Sequence, residues 1–505
     1  MNRKEFLRTV AAGAAGTLTG TASLPAAQST GPAAGAKVTG DALKGSTRAV
    51  VDFIIDAKLE SFPPEAIAQA KRCLIDGFAV ILAGSTVEGS AIVRRYVRTM
   101  SSKGGASIFG PERMSAAAPH AALANGASGH AMDFDDTQLS TTPDRTYGLL
   151  THPTVPALAS SLAVAEERHA SGSAFLEAFL MGFEVECKIA EAIDPEHYRR
   201  GFHSTATAGT FAGATAASRL LGLDREHTAH AIGIAASCAA GLRVNFGSMT
   251  KPLHAGRAAE NGIVAAMLAE GGFTAGDDGL DGKWGYFQVL GGGAEPHRLI
   301  GALGRPHSIV TPGVSVKPYP CGSLSHPSMD AMLKLVVDHD IRPEQIKAIR
   351  LRAGSNILEP LRYKTAKTEL EAKFCVPFLL GVIALRRKAG IQEFTDEFVS
   401  SAPIQQMMTK VSTVFDQKIE AQGFDKIRSV VEVDLVDGRM LVQPSDERYR
   451  GSPAWPFTIA ELRERFADCA GPVLSKDRIQ QALNQIESIE KLRDIGELTR
   501  TLAGI

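Results

Sequence analysis

Apolar residues recur at helical spacing through most of the first three hundred positions of the chain. One such segment opens with Pro63-Pro64-Glu65 and ends at Gly84. A proline in the first turn and a glycine at the end are typical of helix termini. The same spacing predicts further helices over 115–132, 155–168, 175–193, 207–221, 227–242 and 255–270. All are rich in small residues, so we expect them to pack closely together.

The pattern changes after Pro312, where apolar and charged side chains begin to alternate. Such alternation is typical of strands with one buried face. Asp437-Gly438 separates two of these segments and is a common turn pair in hairpins. We therefore expect strands over 346–352, 430–436 and 440–442.

Helical spacing accompanies these strands over 328–338 and 369–387, and three helical segments follow Thr458. The sequence thus predicts a mainly α protein of two domains. The larger is helical and the smaller is α+β; their bounds are 41–311 plus 445–505, and 312–444.

The first forty residues differ from the rest. Arg3-Lys4-Glu5-Phe6-Leu7-Arg8 precedes a mildly apolar run and then a linker rich in Gly, Ala and Pro. We interpret 1–40 as an export signal and linker, similar to the twin-arginine type with Lys4 in place of the second arginine. This predicts a periplasmic protein; the alternative is a cytoplasmic one with an unstructured N-terminus.

Bulk composition excludes several classes of protein. The chain has 54 Lys+Arg against 55 Asp+Glu, so it lacks the basic excess that binds nucleic acid. No other run approaches the ~20 apolar residues of a membrane span. Its six cysteines form no CxxC pair, which argues against a zinc motif or a disulfide framework.

Four polar clusters in apolar surroundings could carry chemistry. In the first, His130, Asp133, Asp135, Asp136 and Thr137 fall within eight residues. These groups could bind a divalent metal, position a substrate through hydrogen bonds, or be the solvated end of a helix. Sequence alone leaves all three possibilities open.

The second cluster is Thr151-His152-Pro153, just before a predicted helix. A helix N-terminus disfavours imidazolium, which would keep His152 neutral and available as a base. The third, 201–210, includes His203, and its backbone N–H groups could meet an anion. A structural histidine and a plain helix cap are the respective alternatives.

In the fourth cluster, Lys251, His254 and Arg257 surround a predicted helix start and could meet a carboxylate. The alternative is a solvated basic turn. Lys317 lies in a proline-rich segment at the proposed domain boundary, where small-molecule sites usually form, although such a segment could also be a stiff hinge. Since no strand–GxGxxG–helix unit is found, we expect no nicotinamide or flavin cofactor.

Taken in order, these clusters resemble the MmgE/PrpD family, which includes 2-methylcitrate dehydratase, cis-aconitate decarboxylase and iminodisuccinate epimerase. The resemblance covers roughly Thr47 to the C-terminus. The segments that carry it are 124–137 ending in DFDDT, Thr151-His152-Pro153, GFEVECKIAEAI from Gly182, GFHSTATAGTF from Gly201, GLD at 222–224, MTKPLHAGRAAENG from Met249, and KPYPCGSLSH from Lys317.

The resemblance implies a large helical domain closed by both ends of the chain, with the smaller domain inserted as a lid. It also implies a homodimer without an organic cofactor. The polar site residues that it implies are Asp133, Thr137, His152, His203, Lys251 and Lys317.

Two features depart from the family pattern. Phe378 stands where members resembling the decarboxylase carry an active-site tyrosine, and phenylalanine cannot donate a hydrogen bond. The segment between Thr137 and His152, 138–150, is longer than expected and would lie at the pocket mouth.

We therefore expect a lyase that abstracts a proton next to a carboxylate of a small di- or tricarboxylate, in the manner of a dehydratase. Lys251 and Lys317 would hold carboxylates, His152 would be the base and His203 the acid. Asp133, Thr137, His254 and Arg257 would help to bind substrate, and no metal is expected. The alternatives are an epimerase or decarboxylase, a metal-dependent enzyme with Asp133, Asp135 and Asp136 as ligands, and a non-catalytic periplasmic binding protein.

Overall fold

Helices dominate the structure, a computed structural model that describes residues 37–100, 103–138, 151–424, 426–446 and 448–504. The helices before residue 300 are α1 (Ser46–Asp56), α2 (Pro64–Gly84), α3 (Glu88–Thr99), α4 (Ala118–His130), α5 (Thr154–Glu167), α6 (Gly172–Ile193), α7 (Glu196–Arg199), α8 (Ser204–Leu221), α9 (Arg225–Cys238), α10 (Thr250–Glu270) and α11 (Tyr286–Val289). The later helices are α12 (His326–Asp338), α13 (Ser355–Leu358), α14 (Glu369–Ala372), α15 (Val376–Arg386), α16 (Asp396–Ser400), α17 (Ala402–Thr409), α18 (Gln417–Glu420), α19 (Ile459–Ala470), α20 (Lys476–Glu487) and α21 (Gly496–Leu502). The prediction of a mainly α fold is confirmed.

Small residues bring α4, α8 and α10 into close contact, as their composition predicted. A Cβ atom added to Gly256 of α10 would lie 2.3 Å from the carbonyl oxygen of Leu123 on α4. One added to Gly262 would lie 2.4 Å from the backbone nitrogen of Ala214 on α8. Because glycine has no side chain, the helices pack backbone against backbone. This contact brings the first turn of α10 beside the last turn of α4.

The strands form two small sheets. A hairpin of β1 (Ala106–Ile108) and β2 (Met114–Ala116) precedes α4. The larger sheet has the order β4-β3-β5-β6, in which only the β3–β4 pair is parallel. Its strands are β3 (Ile346–Ala353), β4 (Val411–Phe415), β5 (Ser429–Leu435) and β6 (Met440–Pro444).

The predicted alternation in the larger sheet is confirmed. Val431 and Val433 of β5 are fully buried in an apolar core that also contains residues of α12 and α15. On the other face Arg350 of β3 forms ion pairs with Glu432 and Asp434 across the strands. Opposite charges on facing strands help to fix the register.

One predicted helix, 369–387, is wrong as a single element. The structure contains two helices there, α14 and α15, separated by residues 373–375. Pro377 lies in the first turn of α15. Proline has no N–H to donate and crowds the preceding turn, so it begins a helix better than it continues one.

The three predicted C-terminal helices, α19 to α21, are confirmed, and α19 packs against α2 in one apolar core. Arg465 of α19 forms a buried ion pair with Asp76 of α2, with Nε and Oδ1 2.6 Å apart. The same guanidinium donates to the carbonyl oxygens of Lys317 and Phe134. The C-terminus of the chain therefore supports the segments that carry the candidate site.

Some predictions fall outside the described residues. The proposed export signal lies largely in 1–36, and the long insertion lies largely in 139–150. The division into a helical domain and an inserted lid stays a prediction. Among the described helices, none combines the length and hydropathy needed to cross a membrane.

Candidate active site

Side chains from distant parts of the chain line one cavity between the ends of several helices. Asp133 and Thr137 follow α4, His152 precedes α5, His203 precedes α8, and Lys251 lies in the first turn of α10. The remaining walls come from Tyr198, Phe246, Gly322, Ser323, Leu324, Pro360, Leu361 and Phe374. Lys317 lies directly behind Asp133 and is almost fully buried.

The two lysines share one carboxylate. Lys251 Nζ lies 3.0 Å from Asp133 Oδ1, and Lys317 Nζ donates to the same oxygen and, at 3.0 Å, to the Asp133 carbonyl. Burial alone would raise the pKa of Asp133, but the two ammonium groups outweigh it and hold that pKa well below its usual range. Burial lowers the pKa of Lys251 to about 8, although Asp133 opposes the shift. This buried cluster of two lysines and one aspartate therefore has an excess of positive charge when Lys251 is protonated.

Asp133 occupies an unusual backbone conformation, with φ at 51°. Its N–H donates to the His130 carbonyl at 3.1 Å and closes a tight turn at the end of α4. Left-handed backbone is costly for residues with a side chain, although aspartate tolerates it better than most. The turn directs the Asp133 carboxylate towards both lysines, so local geometry here serves the charged cluster.

His130 connects two carboxylates through Lys251. Its Nδ1 lies 2.8 Å from Asp135 Oδ2, and its Nε2 accepts from Lys251 Nζ at 2.7 Å. An ionised carboxylate can only accept, so Nδ1 carries the proton and Nε2 the lone pair. Burial and the neighbouring Lys251 hold the pKa of His130 well below its usual value. A neutral His130 therefore serves as a hydrogen-bond acceptor for the ammonium group.

His152 has the orientation expected of a base. Its Nδ1 lies 2.8 Å from the carbonyl oxygen of Asp136, and its backbone N–H donates to Thr205 Oγ1. A carbonyl only accepts, so Nδ1 carries the proton and the lone pair of Nε2 is available. Burial, followed by the charge of Lys317, holds the pKa of His152 well below its usual value. The ring is neutral at physiological pH.

His203 pairs with a second histidine. The Nδ1 atoms of His203 and His254 lie 3.0 Å apart, so one ring donates and the other accepts. His203 Nε2 is buried and has no hydrogen-bond partner among the described residues. Burial and then Lys251 lower the pKa values of both rings, that of His254 to about 4. His254 therefore contacts His203 and is not itself among the described residues that line the cavity.

The three aspartates of the DFDD segment have three different roles. Asp133 pairs with the lysines and Asp135 with His130, whereas Asp136 accepts from the N–H and hydroxyl of Thr154 at the start of α5. Burial raises the pKa of Asp136 to about 8. Asp136 thus caps a helix and does not join the other two carboxylates.

Two overlapping groups of side chains could hold a metal ion. One ring nitrogen or carboxylate oxygen from each member lies within 4.8 Å of the others. Imidazole and carboxylate suit zinc and related divalent ions. However, the ammonium group of Lys251 already occupies the space beside His130 Nε2 and would repel a cation. The two groups are His130 with His152 and His203, and His130 with Asp133, Asp135 and His152.

The predicted residues do not all come together. Arg257 lies apart from the cavity, half-exposed and paired with Glu260. It is six residues beyond Lys251, which on an α-helix is about 240° around the axis. Phe378 is also absent from the cavity wall, because its ring is fully buried against Phe394 and Phe398.

Sequence reasoning did not single out several residues that the structure places in the site. Tyr198, Phe246, Ser323 and Phe374 line the cavity. Ser323 bonds Thr137 Oγ1 at 2.7 Å, and the Phe246 and Phe374 rings lie 5.3 and 5.6 Å from Lys251 Nζ. Tyr198 could have been noticed from its place just before Gly201-Phe202-His203. The two phenylalanines had no comparable signal.

Two family models match the chain. The MmgE/PrpD N-terminal domain model matches residues 48–299, and the MmgE/PrpD C-terminal domain model matches 319–491. The chain belongs to the MmgE/PrpD family.

Its relatives include the cis-aconitate decarboxylase of Homo sapiens, 27% identical over 92% of this chain and 95% of the human protein. The cis-aconitate decarboxylase-like protein oryM of Aspergillus oryzae is 26% identical over 91% of this chain and 97% of its own length. The cis-aconitate decarboxylase of Aspergillus terreus is 24% identical over 92% and 96%. These relatives match nearly the whole chain.

Proposed function

We propose that this chain is a lyase that moves a proton at a carbon next to a carboxylate of a small di- or tricarboxylate. In the form that we favour, the reaction is a dehydration and uses no organic cofactor. The observation that carries the proposal is the neutral His152, whose Nδ1 is fixed by the Asp136 carbonyl. His152 lines the same cavity as Lys251, and no described residue forms a hydrogen bond with its Nε2.

Two imidazoles suit the two proton transfers of a dehydration. His152 would take the proton from carbon, and His203 would deliver one to the departing hydroxyl. Their ring centroids lie 6.1 Å apart, so a substrate could contact both. His203 is neutral in the free protein because burial and Lys251 lower its pKa. A bound carboxylate would bring negative charge beside it and raise that pKa, which favours the acid form.

The lysines would stabilise the charge that develops. Removing a proton next to a carboxylate builds negative charge on the carboxylate oxygens, and fixed cations beside them lower the barrier. Lys251 and Lys317 are held near each other by Asp133 before any substrate arrives. Such preorganisation avoids the cost of arranging charged groups during the reaction.

Decarboxylation is the second candidate reaction, because the three relatives described above are named for cis-aconitate decarboxylation or likeness to it. It would use the same lysines and needs one acid to protonate the carbon after carbon dioxide leaves. The position of Phe378 outside the cavity wall means that this residue gives no argument against it.

A panel of carboxylic acids that includes cis-aconitate, incubated with the protein in D₂O and followed by NMR, tests the proposal. We expect deuterium at a carbon next to a carboxylate, with loss of water or carbon dioxide from one member. His152→Ala should reduce the rate at least 100-fold, since a positioned base contributes about 10²–10⁴-fold. His169→Asn, at an exposed ring, is the control. Full activity in His152→Ala would remove the base assignment, and ligand binding without exchange would identify a binding protein.

A metal-dependent reaction predicts a different result. If an ion on His130, Asp133 and neighbouring groups carried the chemistry, prolonged dialysis against a chelator would abolish turnover, and zinc or another divalent ion would restore it. Under our proposal, turnover survives that treatment.

A further inference from the structure

Tyr198 differs from two other buried tyrosines of the described chain in the state of its hydroxyl group. Tyr319 donates its hydroxyl to Asp330 at 2.6 Å, and Tyr449 donates to Ser315 at 2.8 Å. Only 3% of Tyr198 is exposed. Among the described residues its hydrogen bonds, including those to Asp194 and Arg243, are made by its backbone, and its hydroxyl has no partner. Buried hydroxyl groups normally have partners, so this one calls for an explanation.

The hydroxyl of Tyr198 is available to a ligand. The residue lines the same cavity as Asp133, His203 and Lys251, and its oxygen is not among the fully enclosed polar atoms that lack a partner. The oxygen is therefore not fully enclosed, and its residue lines the cavity. Burial raises the pKa of Tyr198 to about 12, so the phenol stays protonated and can donate throughout the physiological range.

The ring is held in place by Arg243. The guanidinium carbon of Arg243 lies 3.8 Å from the centroid of the Tyr198 ring, and its Nη1 donates to the Tyr198 carbonyl at 2.7 Å. A cation over the face of an aromatic ring is attracted to it and limits its movement. Tyr198 is thus a rigid donor and needs no rearrangement to meet a ligand.

The charges around Tyr198 suit an anionic group. Arg243 and Arg362 line an adjoining cavity that shares Phe246 and Pro360 with the cavity of the candidate site. Glu359 is the acidic residue of that cavity. The two guanidinium groups outnumber it, which leaves an excess of positive charge on this side of the site.

We propose that the Tyr198 hydroxyl donates a hydrogen bond to a second substrate carboxylate, one that does not react, and so selects di- and tricarboxylates over monocarboxylates. The inference rests on the proposed function for the identity of the reacting carboxylate. Lys251 would hold that first carboxylate, with the charge of Lys317 behind Asp133 adding to the attraction, and Tyr198 would hold the other end of the molecule. A contact of this kind is made equally in the ground state and the transition state, so it affects binding and leaves the chemical step unchanged.

Tyr198→Phe removes the hydroxyl and keeps the ring beneath Arg243. A hydrogen bond to a charged group stabilises a complex more than one between neutral groups. We therefore expect the loss of this bond in the variant to weaken substrate binding by about 10- to 100-fold. For a substrate found in the D₂O panel, the KM should rise by that factor while kcat stays within about threefold. Tyr319→Phe is the matched control, because its hydroxyl is already bound to Asp330, and we expect no change in KM.

Calorimetric titration gives a readout that does not depend on turnover. The probes are succinate and cis-aconitate, together with butyrate, which replaces one carboxylate of succinate by a methyl group. We expect Tyr198→Phe to weaken the first two and to leave butyrate unchanged, with the unfolding temperature of the variant within a few degrees of the unaltered chain.

Several results would overturn the inference. For Tyr198→Phe they are an unchanged affinity for both succinate and cis-aconitate, a loss of butyrate affinity equal to the loss for these two acids, or a fall in kcat at constant KM. For the unaltered chain the contradicting result is that it binds neither succinate nor cis-aconitate. Absence of deuterium exchange in the unaltered chain, with Tyr198-dependent binding intact, would instead contradict the proposed function alone.

Discussion

Lys251→Arg tests the electrostatics of the site through the pH dependence of catalysis. Burial lowers the pKa of Lys251 to about 8, against the opposing effect of Asp133. At that pKa about 90% of the molecules carry the ammonium charge at pH 7 and about 10% at pH 9. If the charge is needed to hold the reacting carboxylate, kcat/KM falls about tenfold over this interval.

Arginine keeps its charge throughout the accessible pH range. The Lys251→Arg variant should therefore lose the alkaline fall between pH 7 and 9. Its activity at pH 7 should be lower than that of the unaltered chain, because the planar guanidinium fits the space beside His130 and Asp133 less well. The shape of the profile and its absolute level thus report on charge and geometry separately.

The assay is kcat/KM measured from pH 6 to 10 at constant ionic strength, with circular dichroism at each pH to confirm that the chain stays folded. Lys334→Arg, at an exposed lysine paired with Asp338, is the control and should keep the profile of the unaltered chain. An alkaline fall that persists in Lys251→Arg would refute the assignment. So would an unaltered chain whose kcat/KM is constant from pH 7 to 9.

Three further predictions concern Asp135, Asp136 and Gly256. Asp135→Asn removes a negative charge that raises the pKa of Lys251, so the alkaline fall in kcat/KM should move to lower pH; an unmoved profile would contradict the coupling. Burial raises the pKa of Asp136 to about 8, so the folded state binds the extra proton and stability should decrease as pH rises from 5 to 8. In urea unfolding at pH 5 and pH 8, the free energy of unfolding of Asp136→Asn should change less between the two pH values than that of the unaltered chain. Gly256→Ala places a Cβ atom against Leu123 and should cost about 1–3 kcal/mol of stability, measured by chemical denaturation; a neutral effect would mean that α4 and α10 can separate.

The parts of the fold that could be predicted from the sequence are the elements whose residue pattern is regular over a short segment. Alternation predicted β3, β5 and β6 and helical spacing predicted most of the long helices, because each depends on which face of an element is buried. The short strands β1, β2 and β4 and the helix α3 were not predicted. The break between α14 and α15 was missed because the apolar residues continue through Pro377. Only the backbone requirement of proline separates the two helices.

The site was harder to predict, because adjacent residues can point in different directions. Asp133, Asp135 and Asp136 are nearly consecutive, yet they contact Lys251, His130 and Thr154. No spacing rule distinguishes them, since they lie in a turn in which Asp133 has left-handed backbone. The resemblance to the MmgE/PrpD family, carried by the order of the motifs, implied which residues meet. Their individual partners required coordinates.

Asp133 is better understood as a counterion than as a substrate ligand. Burying two ammonium groups without compensation would be very costly, and their positions in the free protein depend on a shared anion. An ionised Asp133 would repel a substrate carboxylate and cannot donate to it. Under the proposed function, an entering carboxylate would draw part of the hydrogen bonding of Lys251 towards it, while Asp133 keeps both lysines in place. The same balance explains why the pKa of Lys251 is about 8, because burial lowers this pKa and Asp133 opposes that shift. The arrangement that keeps the charges stable in the empty site is therefore also the one that leaves them responsive to an arriving anion.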